Sequence, residues 1–233
     1  EKEEEGGGGR ERKKEERRGK GKKEKVHIVG LGVSPKHAEL QQGLQKLRDY
    51  REWRAEEIAR RLEKEGIPGA LEGALRYAGG QLVSRTHFAY FLVETGRAKD
   101  VPQVFKRFLV SNKPGHVRGE WASLEEALGW IKGAGGQAVI AHPARYSLTR
   151  SKLRRLCSEF KELGGEAIEV VSGSHSVDEY HQMARLAKDM GFLASAGSDY
   201  HGPSNFRVEL GRLPDLPIGC EPIWSDWPDR FAA

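Results

Sequence analysis

Cysteine is scarce in this chain: Cys157 and Cys220 are the only two in 233 residues. That excludes a disulfide framework and the paired-cysteine spacing of zinc fingers. Long apolar runs are lacking as well, and none reaches the ~18 residues expected of a membrane span. The N-terminus is basic but has no hydrophobic stretch behind it, so it does not read as a secretory signal. A cytoplasmic location is the default expectation. Apolar residues make up 37% of the chain, enough for a core but lean, and the N-terminus explains part of the shortfall. Residues 1–24 contain only Glu, Lys, Arg and Gly: ten basic, eight acidic and six glycine. Such a segment has nothing to bury, so it is expected to be a disordered or loosely helical charged tail outside any core.

What is present begins after that tail. The formal net charge is +5, of which the tail supplies +2 and the rest of the chain +3. A mildly basic protein is compatible with a phosphate-bearing substrate without specifying one. "KVHIVGL" (residues 25–31) reads as a short buried strand punctuated by glycine. Ser34-Pro35 then opens a helical stretch with apolar residues at Leu40, Leu44, Leu47, Ile58 and Leu62. Gly66-Ile67-Pro68-Gly69 breaks it, and helices are expected at 69–78, 85–96 and 100–109. Residues 35–110 therefore form an all-helical block.

The pattern changes after Trp121. Ser123 and Glu126 have the spacing of a capping box, so a helix starts there and ends near Gly133. "QAVIAHP" is a buried strand, followed by a helix at 150–163. "EAIEVVSG" is the next strand, a helix follows at 176–190, and "FLASAGSD" is the last strand. This β-α-β-α-β alternation predicts an α/β fold with parallel strands covered by helices. In such folds the site lies at the C-terminal ends of the strands.

Three of these strands carry residues that ligate metals. His142 ends "AVIAHP", Asp199 and His201 end "LASAGSDYH", and His27 lies within "KVHIVGL". Alternate residues of a strand face the same way, so Asp199 and His201 can share a site. Imidazole with carboxylate suits Mn, Fe, Zn or Mg. A single strand-end histidine is commonly a hydrogen-bonded structural residue. Four such residues within one α/β pattern favour a metal site.

"VHIVGLG", "SRTHFAYFLVETG", "VIAHPARY", "IEVVSG" and "AGSDYHGP" occur in that order. Together they resemble the PHP (polymerase and histidinol phosphatase) superfamily of metal-dependent phosphoesterases, in the branch of 3',5'-nucleoside bisphosphate phosphatase and ribonuclease AM. The resemblance implies a distorted (β/α)7 barrel, here its C-terminal part. Residues 25–34 and 111–233 would form the partial barrel and residues 35–110 the helical insertion. It implies two or three divalent ions, Mn²⁺ foremost with Mg²⁺ or Zn²⁺ as alternatives. His27, His142, Asp199 and His201 match metal-ligand motifs of the family. Arg85 and His87 in "SRTHF" match a motif of this branch and are expected to bind a substrate phosphate, with a capping role as the alternative. Lys106, Lys113 and Arg145 are expected to add positive charge. Glu169 sits on a strand behind the ligands. His37, His116, His175 and His181 read as surface residues, and Trp224 and Trp227 as packing residues.

The family pattern opens with an H-x-H strand, an aspartate and a metal-bridging glutamate. None of these precedes His27, because residues 1–24 contain no His and no Asp. The expectation is a chain lacking the N-terminal quarter of the barrel. All four residue types of the tail have purine-only codons, which suggests a purine-rich tract in its place. The implied activity is hydrolysis of nucleoside 3',5'-bisphosphates, release of 5' nucleotides from RNA, or both, by a monomer with no membrane partner. With the early ligands absent, turnover is expected to be poor. The alternative is a catalytically inactive phosphate- or nucleic-acid-binding remnant.

Overall fold

The computed structural model describes residues 25–200, 209–225 and 227. The low-complexity tail, residues 1–24, lies outside the described residues, as does His201. The described chain is α/β. Four strands, β1 (Ile28–Leu31), β2 (Gln137–Ile140), β3 (Ala167–Ser172) and β4 (Leu193–Gly197), lie side by side in the order β1-β2-β3-β4. The β2–β3 and β3–β4 pairs are parallel, as the alternation with helices requires. The β3–β4 register shifts between Glu169 and Val171.

Seven α-helices accompany the strands among the described residues. They are α1 (Ala38–Lys64), α2 (Ala70–Ala78), α3 (Arg85–Glu94), α4 (Val101–Val104), α5 (Leu124–Gly133), α6 (Arg150–Glu162) and α7 (Val177–Met190). Helix α4 runs straight into a π-turn at Phe105–Leu109. No described helix is long and apolar enough to cross a membrane.

Contacts divide the chain into two compact units. The sheet unit holds the described chain up to Val29, then Val139–Glu159 and everything from Glu166 onward. The helical unit holds Gly30–Ala138 and Phe160–Gly165. The helical stretch 35–110 lies wholly within the second unit.

In the sheet unit every residue of β3 is buried. A parallel strand covered on both faces must read as an apolar run, and "AIEVVS" does so apart from Glu169 and Ser172. Helix α7 turns Met183, Leu186 and Ala187 inward. Its start is fixed by a reciprocal pair: Glu179 N–H donates to Ser176 Oγ at 3.3 Å, and Ser176 N–H donates to Glu179 Oε2 at 2.7 Å. Its end is Gly191 at φ 66°, the left-handed conformation that glycine adopts without a Cβ clash.

The helical unit has its own core of Ile58, Leu62, Phe88, Leu92, Val104 and Leu109. Helices α2 and α3 approach closely at Gly73, where any Cβ would run into the Phe91 ring. Helix α5 begins with the same device as α7, Ser123 and Glu126 exchanging backbone and side-chain hydrogen bonds at 2.8 and 3.1 Å.

Candidate active site

The site grows from strand ends of the sheet unit. His27 stands immediately before β1, and its carbonyl accepts from Ala141 N–H at 3.0 Å. That bond brings His27 beside the residue that follows Ala141. His142 Nε2 lies 3.0 Å from His27 Nδ1, and the two rings meet edge to face, 4.8 Å between centroids. Pro143 starts a short 3₁₀ turn after His142. His142 itself sits at φ 33°, a left-handed conformation unusual for a residue with a side chain.

Two groups hold this pair. Glu169, on β3 and 9% exposed, accepts from His142 N–H through Oε2 at 2.7 Å. Its room comes from Gly197 on β4, where a Cβ would strike the carboxylate. Burial pushes the Glu169 carboxyl up from the ordinary range, the negative charge of Asp199 adds to that, and the His142 N–H bond opposes it. The second group is Tyr146. Its hydroxyl donates to Ala141 O at 2.9 Å and accepts from His27 N–H at 2.8 Å. Burial pushes the phenol up to about 12, so it stays neutral and can do both.

Asp199 follows β4 at φ 51°, a second non-glycine residue in the left-handed region. It is near enough for its charge to act on both Glu169 and Tyr146. Among the described residues no three His, Cys, Asp or Glu side chains come together closely enough to hold an ion. Two imidazoles do meet, and His142 Nδ1 is buried without a hydrogen-bond partner. An orphaned ring nitrogen beside a histidine pair and buried carboxylates matches the donor chemistry of a divalent cation.

Close relatives narrow the assignment. The chain is 47% identical over 207 residues to a 3',5'-nucleoside bisphosphate phosphatase from Chromobacterium violaceum, covering 88% of this chain and 73% of that protein. It is 45% identical over 203 residues to the 5'-3' exoribonuclease Rnm of Escherichia coli, covering 87% and 69%. The chain belongs to the PHP superfamily of metal-dependent phosphoesterases. Among solved structures, one named an amidohydrolase from Chromobacterium violaceum, with bound sulfate, superimposes with a TM-score of 0.78. It is 46% identical and covers 89% of this chain and 72% of its own. A metal-dependent phosphoesterase structure from Bifidobacterium adolescentis shares the fold at a TM-score of 0.67 and 22% identity, covering 82% and 68%. No family model matches the chain.

Seen as a PHP site, the sequence expectations divide. The structure brings His27 and His142 together, sets the charge of Asp199 beside them, and gives Glu169 the task of holding His142. Arg145, in the turn after His142, is exposed. Arg85, His87, Lys106 and Lys113 belong to the helical unit. His87 Nδ1 accepts from Ser84 N–H at 3.2 Å, a capping bond at the start of α3. Burial, and next the charge of Arg51, hold the His87 imidazole below its usual range.

Two sequence expectations are corrected. His175 is no surface residue: it is 7% exposed, its Nε2 accepts from Ala144 N–H at 3.3 Å, and burial lowers its pKa. It braces the turn after His142. Trp224 does not pack inward: it is 40% exposed, and its neighbour Ile223 is the buried residue of that segment. Tyr146 was missed. The only available signal was its place four residues after His142 in "HPARY", and nothing local says that a tyrosine there reaches back to the β1 backbone.

Proposed function

We propose that this PHP chain hydrolyses a phosphate ester of a nucleoside 3',5'-bisphosphate or at the 5' end of RNA. The observation that carries this is the His27–His142 pair, with the orphaned His142 Nδ1, held against Glu169 at strand ends. The relatives named as a nucleoside bisphosphate phosphatase and an exoribonuclease supply the substrate class. The four strands belong, in this reading, to the C-terminal part of a distorted (β/α)7 barrel formed by residues 25–34 and 111–233. Residues 35–110 are its helical insertion.

His27, His142, Asp199 and His201 are the residues that would hold a divalent ion, Mn²⁺ first and Mg²⁺ or Zn²⁺ as alternatives. When bound, such an ion neutralises phosphate charge and makes water a better nucleophile. The chain's own groups do the rest. Glu169 aims His142 through its backbone N–H. Tyr146 ties the His27 backbone to Ala141, so the two imidazoles keep one separation. Arg145, three residues beyond His142, is the cation for the substrate phosphate in this unit.

A second reading is a phosphate- or nucleic-acid-binding protein without hydrolysis. It is favoured by the absence of a three-donor group among the described residues. One assay separates the two: release of phosphate or mononucleotide with Mn²⁺ or Mg²⁺, compared with EDTA and with Asp199→Ala. Metal-dependent turnover that Asp199→Ala abolishes is expected. Substrate binding without turnover, or turnover indifferent to Asp199, overturns the hydrolytic reading at this site.

A further inference from the structure

The helical unit contains a cavity of about 210 Å³ whose wall is unlike the rest of that unit. Three arginines line it, Arg51 and Arg54 from α1 and Arg85 from the first turn of α3. Like charges this close repel, and a folded chain ordinarily answers them with carboxylates. Here none lines the cavity. Glu57, one turn beyond Arg54, is already bound to Arg60 and Arg61 at 2.7 and 2.6 Å.

The hydrogen bonds of the three guanidiniums are likewise incomplete. Arg54 spends Nε and Nη2 on Val117 O at 3.2 and 3.1 Å. Arg85 reaches Leu109 O only at 3.5 Å and otherwise rests over the Phe105 ring at 5.4 Å. Arg51 makes no ion pair among the described residues. Each guanidinium has five N–H donors, so most of the fifteen remain for a ligand. The pKa of Arg54 is lowered, by burial first and then by the charges of Arg85 and Arg51, which shows the three positive charges acting on one another.

The rest of the wall indicates what kind of anion fits. Ser84 and Thr86 bring hydroxyls, and they stand at the N-terminus of α3, the positive end of a ten-residue helix. Trp121 closes one side and is 45% exposed, leaving ring surface for a flat group. The volume is far above the ~30 Å³ of one water. It is below the ~300 Å³ at which drug-sized pockets begin. That suits a phosphate with a sugar behind it and a base outside against Trp121.

We propose that this arginine cavity binds the phosphate group of a nucleotide, either free or at the end of an RNA strand. Phosphate is planar-forked guanidinium's natural partner, since paired N–H groups match paired oxygens. Base stacking on an exposed tryptophan adds affinity without demanding a sequence. Arg51, Arg54 and Trp121 are thereby given a role that neither the metal-ligand motifs nor the "SRTHF" motif assigns. The nucleotide identity rests on the function proposed above, whereas the anion site rests on the helical unit alone.

The test is binding by the full chain in EDTA, so that no metal contributes. Trp fluorescence and calorimetry would follow inorganic phosphate, adenosine, AMP and a 5'-phosphorylated pentanucleotide. AMP is expected to bind at least about tenfold more tightly than adenosine or phosphate alone, and Arg51→Gln to weaken AMP about tenfold or more. A stronger response to the pentanucleotide than to AMP assigns the site to RNA, and the reverse to free nucleotide. Arg54→Gln removes a bond to Val117 as well as a charge, so Arg51→Gln, which breaks no bond, carries the test if Arg54→Gln unfolds. AMP binding unchanged in Arg51→Gln overturns the proposal, and so does adenosine binding as tightly as AMP. Parallel hydrolysis assays separate the two claims. Arg51-dependent AMP binding in a chain that hydrolyses nothing leaves this site standing and removes the hydrolytic reading.

Discussion

The two units bury different things. The sheet unit hides Glu169, Ser172, His175 and Ser195, while the core of the helical unit is apolar throughout, from Ala55 to Val117. In the sheet unit the buried polar groups are tied down: Glu169 to His142 N–H, His175 to Ala144 N–H, and Ser172 to Ser174 at 3.2 Å. A buried polar group without a partner is destabilising, so such networks persist where direction matters. The helical unit keeps its polarity on long arginine stems around a cavity, where the charge can stay wet until a ligand arrives. One unit uses burial to fix the orientation of donors; the other uses packing to hold cations near each other.

This contrast can be broken experimentally. The largest effect is expected in the helical core. Phe88 is fully buried, and Phe88→Ala should lower unfolding free energy in urea by about 3–5 kcal/mol. A loss under about 1 kcal/mol would mean that apolar packing is not what holds this unit. Next comes Glu169→Gln, nearly the same shape but uncharged. Phosphate release should fall by about 10–100-fold, as when an orienting partner of a metal ligand is removed. A thermal midpoint that collapses while the remaining folded fraction keeps full activity would make Glu169 merely structural.

Smaller effects refine the picture. Ser176→Ala removes the N-cap of α7 and should cost about 1 kcal/mol of stability. Ser123→Ala should do the same for α5, and unequal losses would show which unit limits unfolding. The smallest effect concerns the cysteines. Cys157 is fully buried, and burial pushes its thiol up to about 11. A maleimide at pH 7.5 should label Cys220, which is partly exposed, and leave Cys157 untouched until the chain unfolds. The sign for pH follows from a raised folded pKa. Any stability from the protonated Cys157 is complete below its ordinary value near 9 and is lost as pH climbs towards about 11. Equal labelling of both thiols in native protein would contradict the burial of α6.

Much of this was legible in the sequence. The strands were marked by short β-branched runs ending at Gly or His-Pro. The helix starts at Ser123 and Ser176 were marked by Glu126 and Glu179 three residues on. His27, His142 and Asp199 stood out because ligand types at strand ends recur in one α/β pattern. What was not legible depends on long-range packing. His175 looks like any polar loop residue, and only the fold buries it under the His142 turn. Tyr146 reaches across to β1, a partner with no sequence proximity. The π-turn at Phe105–Leu109 follows an ordinary helix signal. Arg51 and Arg54 read as solvated positions on a charged helix until Arg85 folds against them.

His142 and Asp199 both occupy backbone conformations that favour glycine, at φ 33° and 51°. That has a consequence for how the gene tolerates change. A library screened only for folded protein should let glycine accumulate at both positions, because the backbone relaxes there by roughly 1–2 kcal/mol when the Cβ is removed. A library screened for phosphoester cleavage should purge the same codons. The opposing enrichments would read out, position by position, how much comfort natural selection has declined in order to keep two side chains where they stand.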